Sequence, residues 1–205
     1  MKRGNCWYVM SLSAILIFCV ANAGLLFAAT VHFEHQKLER REVHIPIQDF
    51  SLTDQSNQIF KFQSFKGKLL LVDFAYTTCP DVCPLMTVAM RSVQDELKAA
   101  ERNLVHLIMV TTDPEVDSPA VLASFAKRYR VDLSNWSFLT GAESSLAKVW
   151  KNFGVGVKRK ARGLVDHTPL TAIIDQKGVM RFAYYGTAPD PKMVLRDMRT
   201  LVSQR

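Results

Sequence analysis

Leu69-Leu70-Leu71-Val72-Asp73-Phe74-Ala75 runs directly into Tyr76-Thr77-Thr78-Cys79-Pro80-Asp81-Val82-Cys83-Pro84-Leu85-Met86. The first seven residues form a short, nearly continuous apolar run, the pattern of a strand buried on both faces of a sheet. After it, Met86, Met90, Val93 and Leu97 recur at steps of four, three and four, which predicts a helix with one apolar stripe against a core. Both cysteines therefore fall on a strand-to-helix turn. Proline is tolerated only near the start of a helix, so Pro84 predicts Cys83 as the N-cap and residues 79–82 as a loop over the helix end.

A helix N-terminus favours negative charge, so thiols placed there lean toward the thiolate. A Cys-x-x-x-Cys pair in that position is able to react, to close a disulfide, or to give two sulfur ligands to one soft ion. A structural disulfide or two inert core thiols is the plainer alternative. The prolines beside both cysteines, and the lack of any further cysteine after Cys19, weigh against it.

At these residues the chain resembles the Sco/SenC proteins, whose signature is Cys-Pro-Asp-Val-Cys-Pro after a hydrophobic strand. Three further stretches fit in order: Thr111-Thr112-Asp113-Pro114-Glu115-Val116-Asp117-Ser118-Pro119, then Leu139-Thr140-Gly141, then Asp166-His167-Thr168. Four ordered motifs are far more specific than one cysteine pair. The resemblance covers roughly residue 45 to the C-terminus. It implies a thioredoxin-like α/β domain that binds copper through Cys79, Cys83 and His167 and assists assembly of cytochrome c oxidase. The implied partners are the copper-accepting oxidase subunit and an upstream copper donor or thiol reductant.

The chemistry of the residues is compatible with that ligand set. Thiolates suit Cu(I), and imidazole with thiolate also suits Cu(II), whereas structural zinc wants four closed ligands. A histidine that merely caps a strand end is the alternative for His167. Pro169 falls where thioredoxin-like reductases carry a cis-proline beside their cysteines, and a cis Thr168-Pro169 bond is expected on that ground. It keeps open a thiol-disulfide oxidoreductase that reduces the cysteines of the oxidase subunit, with Cys79 and Cys83 as the redox pair. The three residues between the cysteines, where redox thioredoxins have two, argue the other way. A tethered copper or redox sensor is a third reading.

With 205 residues and 48% hydrophobic content, the chain holds one ordinary domain with appendages. Residues 6–31 are almost wholly apolar or small, enough to cross a bilayer, which takes about 20 such residues. Residues 1–5 then form a cytoplasmic tail, 6–31 a single transmembrane anchor, 32–44 a juxtamembrane linker and 45–205 the copper-binding domain. Ala21-Asn22-Ala23 is also an A-x-A cleavage pattern, but cleavage there would leave a greasy free end. Lysines and arginines flank both ends of the span, so charge alone does not orient it. The tiny tail and the family resemblance put the domain on the extracytoplasmic side. The absence of an Arg- and Ser-rich transit segment favours a bacterial plasma membrane.

The formal net charge of +7 raises nucleic acid as a partner. The basic residues are scattered apart from Lys158-Arg159-Lys160-Ala161-Arg162, and no nucleic-acid motif accompanies them. That run is expected in an exposed excursion over residues 155–165, where it is either a solvated loop or a patch steering an acidic surface. His32, His35 and His44 read as solvated. His106 sits inside an apolar strand over 103–110 as a hydrogen-bonded sheet histidine.

Residues 50–52 and 59–62 flank a turn-rich segment and predict an N-terminal β-hairpin. Ser118 and Pro119 predict the N-cap and first residue of a helix to residue 129. Asp113 and Asp117 either face the cysteine loop or cap their own. A strand at 136–139, a helix at 144–153, a hairpin from 170–175 to 179–184 and a helix over 191–202 complete a mixed sheet flanked by helices.

Overall fold

The computed structural model describes residues 38–186 and 188–202, with the Arg162 side chain outside that set. The expected tail and transmembrane anchor lie outside the described residues. Among the described residues no helix is long and apolar enough to cross a membrane.

In chain order the strands are β1 (Glu39–Pro46), β2 (Ser51–Asp54), β3 (Ile59–Lys61), β4 (Leu69–Ala75), β5 (Val105–Thr111), β6 (Trp136–Thr140), β7 (Val157–Arg159), β8 (Val165–His167), β9 (Leu170–Ile174) and β10 (Val179–Tyr185). The helices are α1 (Val82–Glu96), α2 (Ala99–Arg102), α3 (Pro119–Arg128), α4 (Glu143–Phe153) and α5 (Pro191–Val202). The main sheet runs β1-β10-β9-β4-β5-β6-β2-β3. β4, β5 and β6 are parallel, while β9 joins β4 antiparallel. The apolar run that opens the reading thus lies inside the sheet, and all seven of its residues are buried.

Strand alternation sends β4 side chains into two cores. Leu69, Leu71 and Ala75 meet Met90 and Val93 of α1, Leu122 and Phe125 of α3, and Val194 and Met198 of α5. Leu70, Val72 and Phe74 meet Leu146, Val149 and Phe153 of α4 on the other face. This is the mixed α/β, thioredoxin-like arrangement expected, with the β2–β3 hairpin added at one edge. That hairpin turns because Asp54 Oδ1 accepts the N–H groups of Ser56 and Gln58, at 2.8 and 2.9 Å, while Asn57 takes a left-handed φ of 59°.

The linker boundary moves. Residues 39–44, expected between anchor and domain, belong to β1, an edge strand paired antiparallel with β10. Arg40 donates to Asp197 of α5 at 2.5 Å and lies over the Phe182 ring. Asp197 is buried and also accepts the Tyr184 hydroxyl at 2.7 Å. The charged, exposed character that reads as a linker is how an edge strand avoids pairing with other chains. The excursion before His167 is likewise ordered, as the two-stranded β7–β8 hairpin.

Candidate metal centre

The site forms where β4 ends and α1 begins. Helix α1 starts at Val82 with Asp81 as N-cap, two residues earlier than the expected cap at Cys83, so Pro84 is its third residue. A proline fits there because the first N–H groups of a helix have no carbonyl partner inside it. Cys79 and Cys83 are both free thiols, Cys79 half-buried and Cys83 completely buried.

The two sulfurs are hydrogen-bonded to each other, which holds the Cys79 thiol down at about 5. Backbone N–H groups of Asp81 and Cys83 and the Tyr76 hydroxyl also stabilise its thiolate. The same contact, with burial, drives the Cys83 thiol far upward, so the pair shares one proton that stays on Cys83. One sulfur is thus anionic and accessible at neutral pH, with the second protonated beneath it.

Tyr76 ties this loop to the histidine hairpin. Burial pushes its phenol up to about 12, so it remains a donor. Its oxygen accepts the Val165 N–H at 3.4 Å, and its ring meets the His167 imidazole edge to face at 6.0 Å and 81°. His167 Nδ1 lies 3.1 Å from the Thr168 carbonyl. A proton on Nδ1 satisfies that contact and leaves Nε2 with a lone pair, the arrangement of a histidine prepared for a metal. Burial holds the imidazole below its ordinary range, which keeps it neutral.

The structure brings the two cysteines together and places His167 within electrostatic range of the Cys79 sulfur. Among the described residues no three His, Cys, Asp or Glu side chains already form a metal cluster. The donor set itself, two sulfurs and one free imidazole nitrogen, fits a soft ion.

Asp117 faces the cysteine loop and does more than cap its own. Its carboxylate accepts the Thr77 N–H at 3.2 Å and the hydroxyls of Thr77 and Thr111. His106 is the hydrogen-bonded sheet residue expected, 2.9 Å from Ser137 Oγ. The cis bond expected at Thr168-Pro169 is not found, since every described peptide bond is trans. Extended pairing explains the correction: Thr168 N–H donates to Gly156 O at 2.9 Å, and Pro169 O accepts from Gly186 N–H at 3.1 Å.

Sequence reasoning passed over Asp73. Its neighbours Leu71 and Ala75 share the α1-side core with Cys83, so alternation turns Asp73 toward that face as well. It is fully buried, and neither carboxyl oxygen has a hydrogen-bond partner. Burial raises it to about 7. A lone acid in an otherwise apolar strand was the available signal.

A thioredoxin-like domain with two reduced cysteines at a helix mouth and a histidine hairpin alongside defines a thiol or soft-metal protein. Comparison makes the assignment specific. The SCO1/SenC family model matches residues 39–203, and the chain belongs to that family. It is 32% identical over 172 residues to the SCO1 protein homolog of Bacillus subtilis, covering 82% of this chain and 88% of that protein. The solved structure of BsSco, a member of the Sco family of cytochrome c oxidase assembly proteins with an identified disulfide switch, is 29% identical, with a TM-score of 0.70 over 80% of this chain and 98% of that one. The copper-bound ScoI of Bradyrhizobium japonicum is 27% identical, with a TM-score of 0.64 over 76% and 99%.

Proposed function

We propose that the protein is a membrane-anchored copper chaperone that carries copper on Cys79, Cys83 and His167 to a copper-accepting subunit of cytochrome c oxidase. Copper is cargo, so the site must both bind and release it. The observation that carries the reading is the pair of free cysteines at the mouth of α1, with the hairpin that bears His167 tied to their loop through Tyr76. Two thiolates suit Cu(I), and adding an imidazole suits Cu(II). Three ligands leave a coordination position for the acceptor, unlike a closed structural site. The B. japonicum relative with copper bound and the oxidase-assembly role stated for BsSco support the same cargo and partner. Residues 6–31 serve as the anchor, with the domain on the extracytoplasmic face of a bacterial plasma membrane.

Copper titration of the reduced protein, followed by incubation with a fragment of the oxidase subunit, tests this. One copper per chain, passing to the fragment, is expected. Binding should release protons, because Cys83 begins as the thiol.

A second reading is favoured by the acidity of Cys79: a thiolate at neutral pH beside a second thiol is equipped for disulfide exchange. Disulfide turnover on a fragment of the oxidase subunit, without copper, would distinguish it.

A further inference from the structure

Strand alternation splits the basic run that precedes His167. In the β7–β8 hairpin Val157 registers with His167, Lys158 with Asp166 and Arg159 with Val165. Arg159, Val157, Val165 and His167 therefore share one face. That face is turned to the domain body, since Val165 is buried and Val157 packs on both cores. Lys158, Lys160 and Asp166 take the other face, where Lys160 Nζ lies 2.8 Å from Asp166.

Arg159 reaches across to the loop after β5. Its Nη2 contacts Asp113 Oδ1 and lies 3.2 Å from Glu115 Oε2. The Asp113 side chain is wholly inaccessible, and its other oxygen has no partner. A buried carboxylate left without its cation is costly, so this pair holds the hairpin firmly. Asp113 also belongs to the network that serves the cysteines. Its N–H donates to Thr111 Oγ1 at 2.9 Å, its carbonyl accepts the Asp117 N–H at 2.9 Å, and Asp117 in turn holds Thr77, two residues before Cys79. A continuous polar chain thus joins the histidine hairpin to the cysteine loop.

We propose that Arg159 is a positioning residue for His167: its ion pair with Asp113 latches the histidine-bearing hairpin to the loop that holds the cysteines. This rests on the reading of Cys79, Cys83 and His167 as copper ligands. The latch matters most for Cu(II), which draws on the imidazole, and least for Cu(I), which two sulfurs satisfy.

The experiment compares the wild type with Arg159→Gln, Arg159→Lys, His167→Ala and the double variant Arg159→Gln/His167→Ala. In the metal-free protein, amide hydrogen exchange over residues 157–167 should speed up at least about ten-fold in Arg159→Gln and by less in Arg159→Lys, which keeps the charge but loses the fork. With copper alone as the probe, Arg159→Gln should lose most of the Cu(II) affinity that His167→Ala loses, and weaken the thiolate-to-copper absorption, with Cu(I) affinity within about three-fold of wild type. The double variant should bind Cu(II) no more weakly than His167→Ala, because a residue acting through another adds nothing once that one is gone.

Wild-type exchange rates in Arg159→Gln, or additive losses in the double variant, would overturn the proposal. Should Arg159→Gln not unfold cooperatively, Arg159→Lys carries the same comparisons with smaller factors. Unchanged Cu(II) affinity in His167→Ala would overturn the ligand assignment and the positioning role with it. The exchange rates would still report separately whether the latch exists.

Discussion

The Tyr76 ring meets the His167 imidazole edge to face at 6.0 Å, while the Tyr76 hydroxyl bonds both the Cys79 sulfur and the Val165 N–H. One side chain at the end of β4 thereby joins the cysteine loop to the hairpin that carries the histidine. Tyr76→Phe keeps the ring and removes both bonds. It should destabilise the protein by about 1–3 kcal/mol, the cost of an orphaned buried N–H. It should also raise the apparent pKa of Cys79, because a donor to the thiolate is lost. Urea unfolding and thiol alkylation on the same variant check both effects.

Cys79 should be the reactive thiol. Its alkylation by iodoacetamide should persist down to about pH 5, well below an ordinary thiol, with Cys83 modified only on unfolding. Mass mapping across a pH series gives the order. Cys83 labelled first, or a half-point near 8.5, the ordinary thiol value, would contradict the shared proton.

Asp73 should make stability fall with rising pH. Its folded pKa of about 7 lies above the unfolded value near 4, so between these the native state holds a proton that the unfolded state has released. The ionisation penalty is absent below about pH 4 and grows until about pH 7, to on the order of 4 kcal/mol. Asp73→Asn should remove that slope and leave the protein more stable at pH 8. Urea titrations at pH 4.5, 6 and 8 measure it, and parallel curves for both proteins would refute the buried unpaired acid.

Truncation should separate β1 from whatever precedes it. A chain of residues 38–205 should fold, whereas residues 45–205, cut at the boundary expected from sequence, should lose roughly 3 kcal/mol or more, because buried Asp197 would lose Arg40 along with the β1–β10 pairing. Thermal unfolding of the two chains decides it. Equal midpoints would return residues 39–44 to the role of a linker.

Legibility followed burial. The Leu69 to Ala75 run, the Met86, Met90, Val93 stripe, the Ser118 cap and the β9–β10 hairpin were readable because each obeys a strong periodic or capping rule. β1 was not, since Glu39, Arg40, Arg41 and Glu42 carry the charges that protect an edge and hide its period. Pro84 could be placed at the helix start but not at its exact position, because several first-turn positions tolerate a missing N–H. The cysteines declared themselves through spacing and prolines. Arg159 and Asp113 act through each other across 46 residues of sequence, and no local pattern announces such a contact.

The central claim is that one copper is held by Cys79, Cys83 and His167. X-ray absorption at the copper edge tests it most directly. The wild type loaded with copper should show two sulfur neighbours per copper, with an imidazole nitrogen in the Cu(II) state. Cys79→Ser should lose one sulfur, and His167→Ala should lose the nitrogen. An unchanged sulfur count and copper stoichiometry in Cys79→Ser would contradict the account.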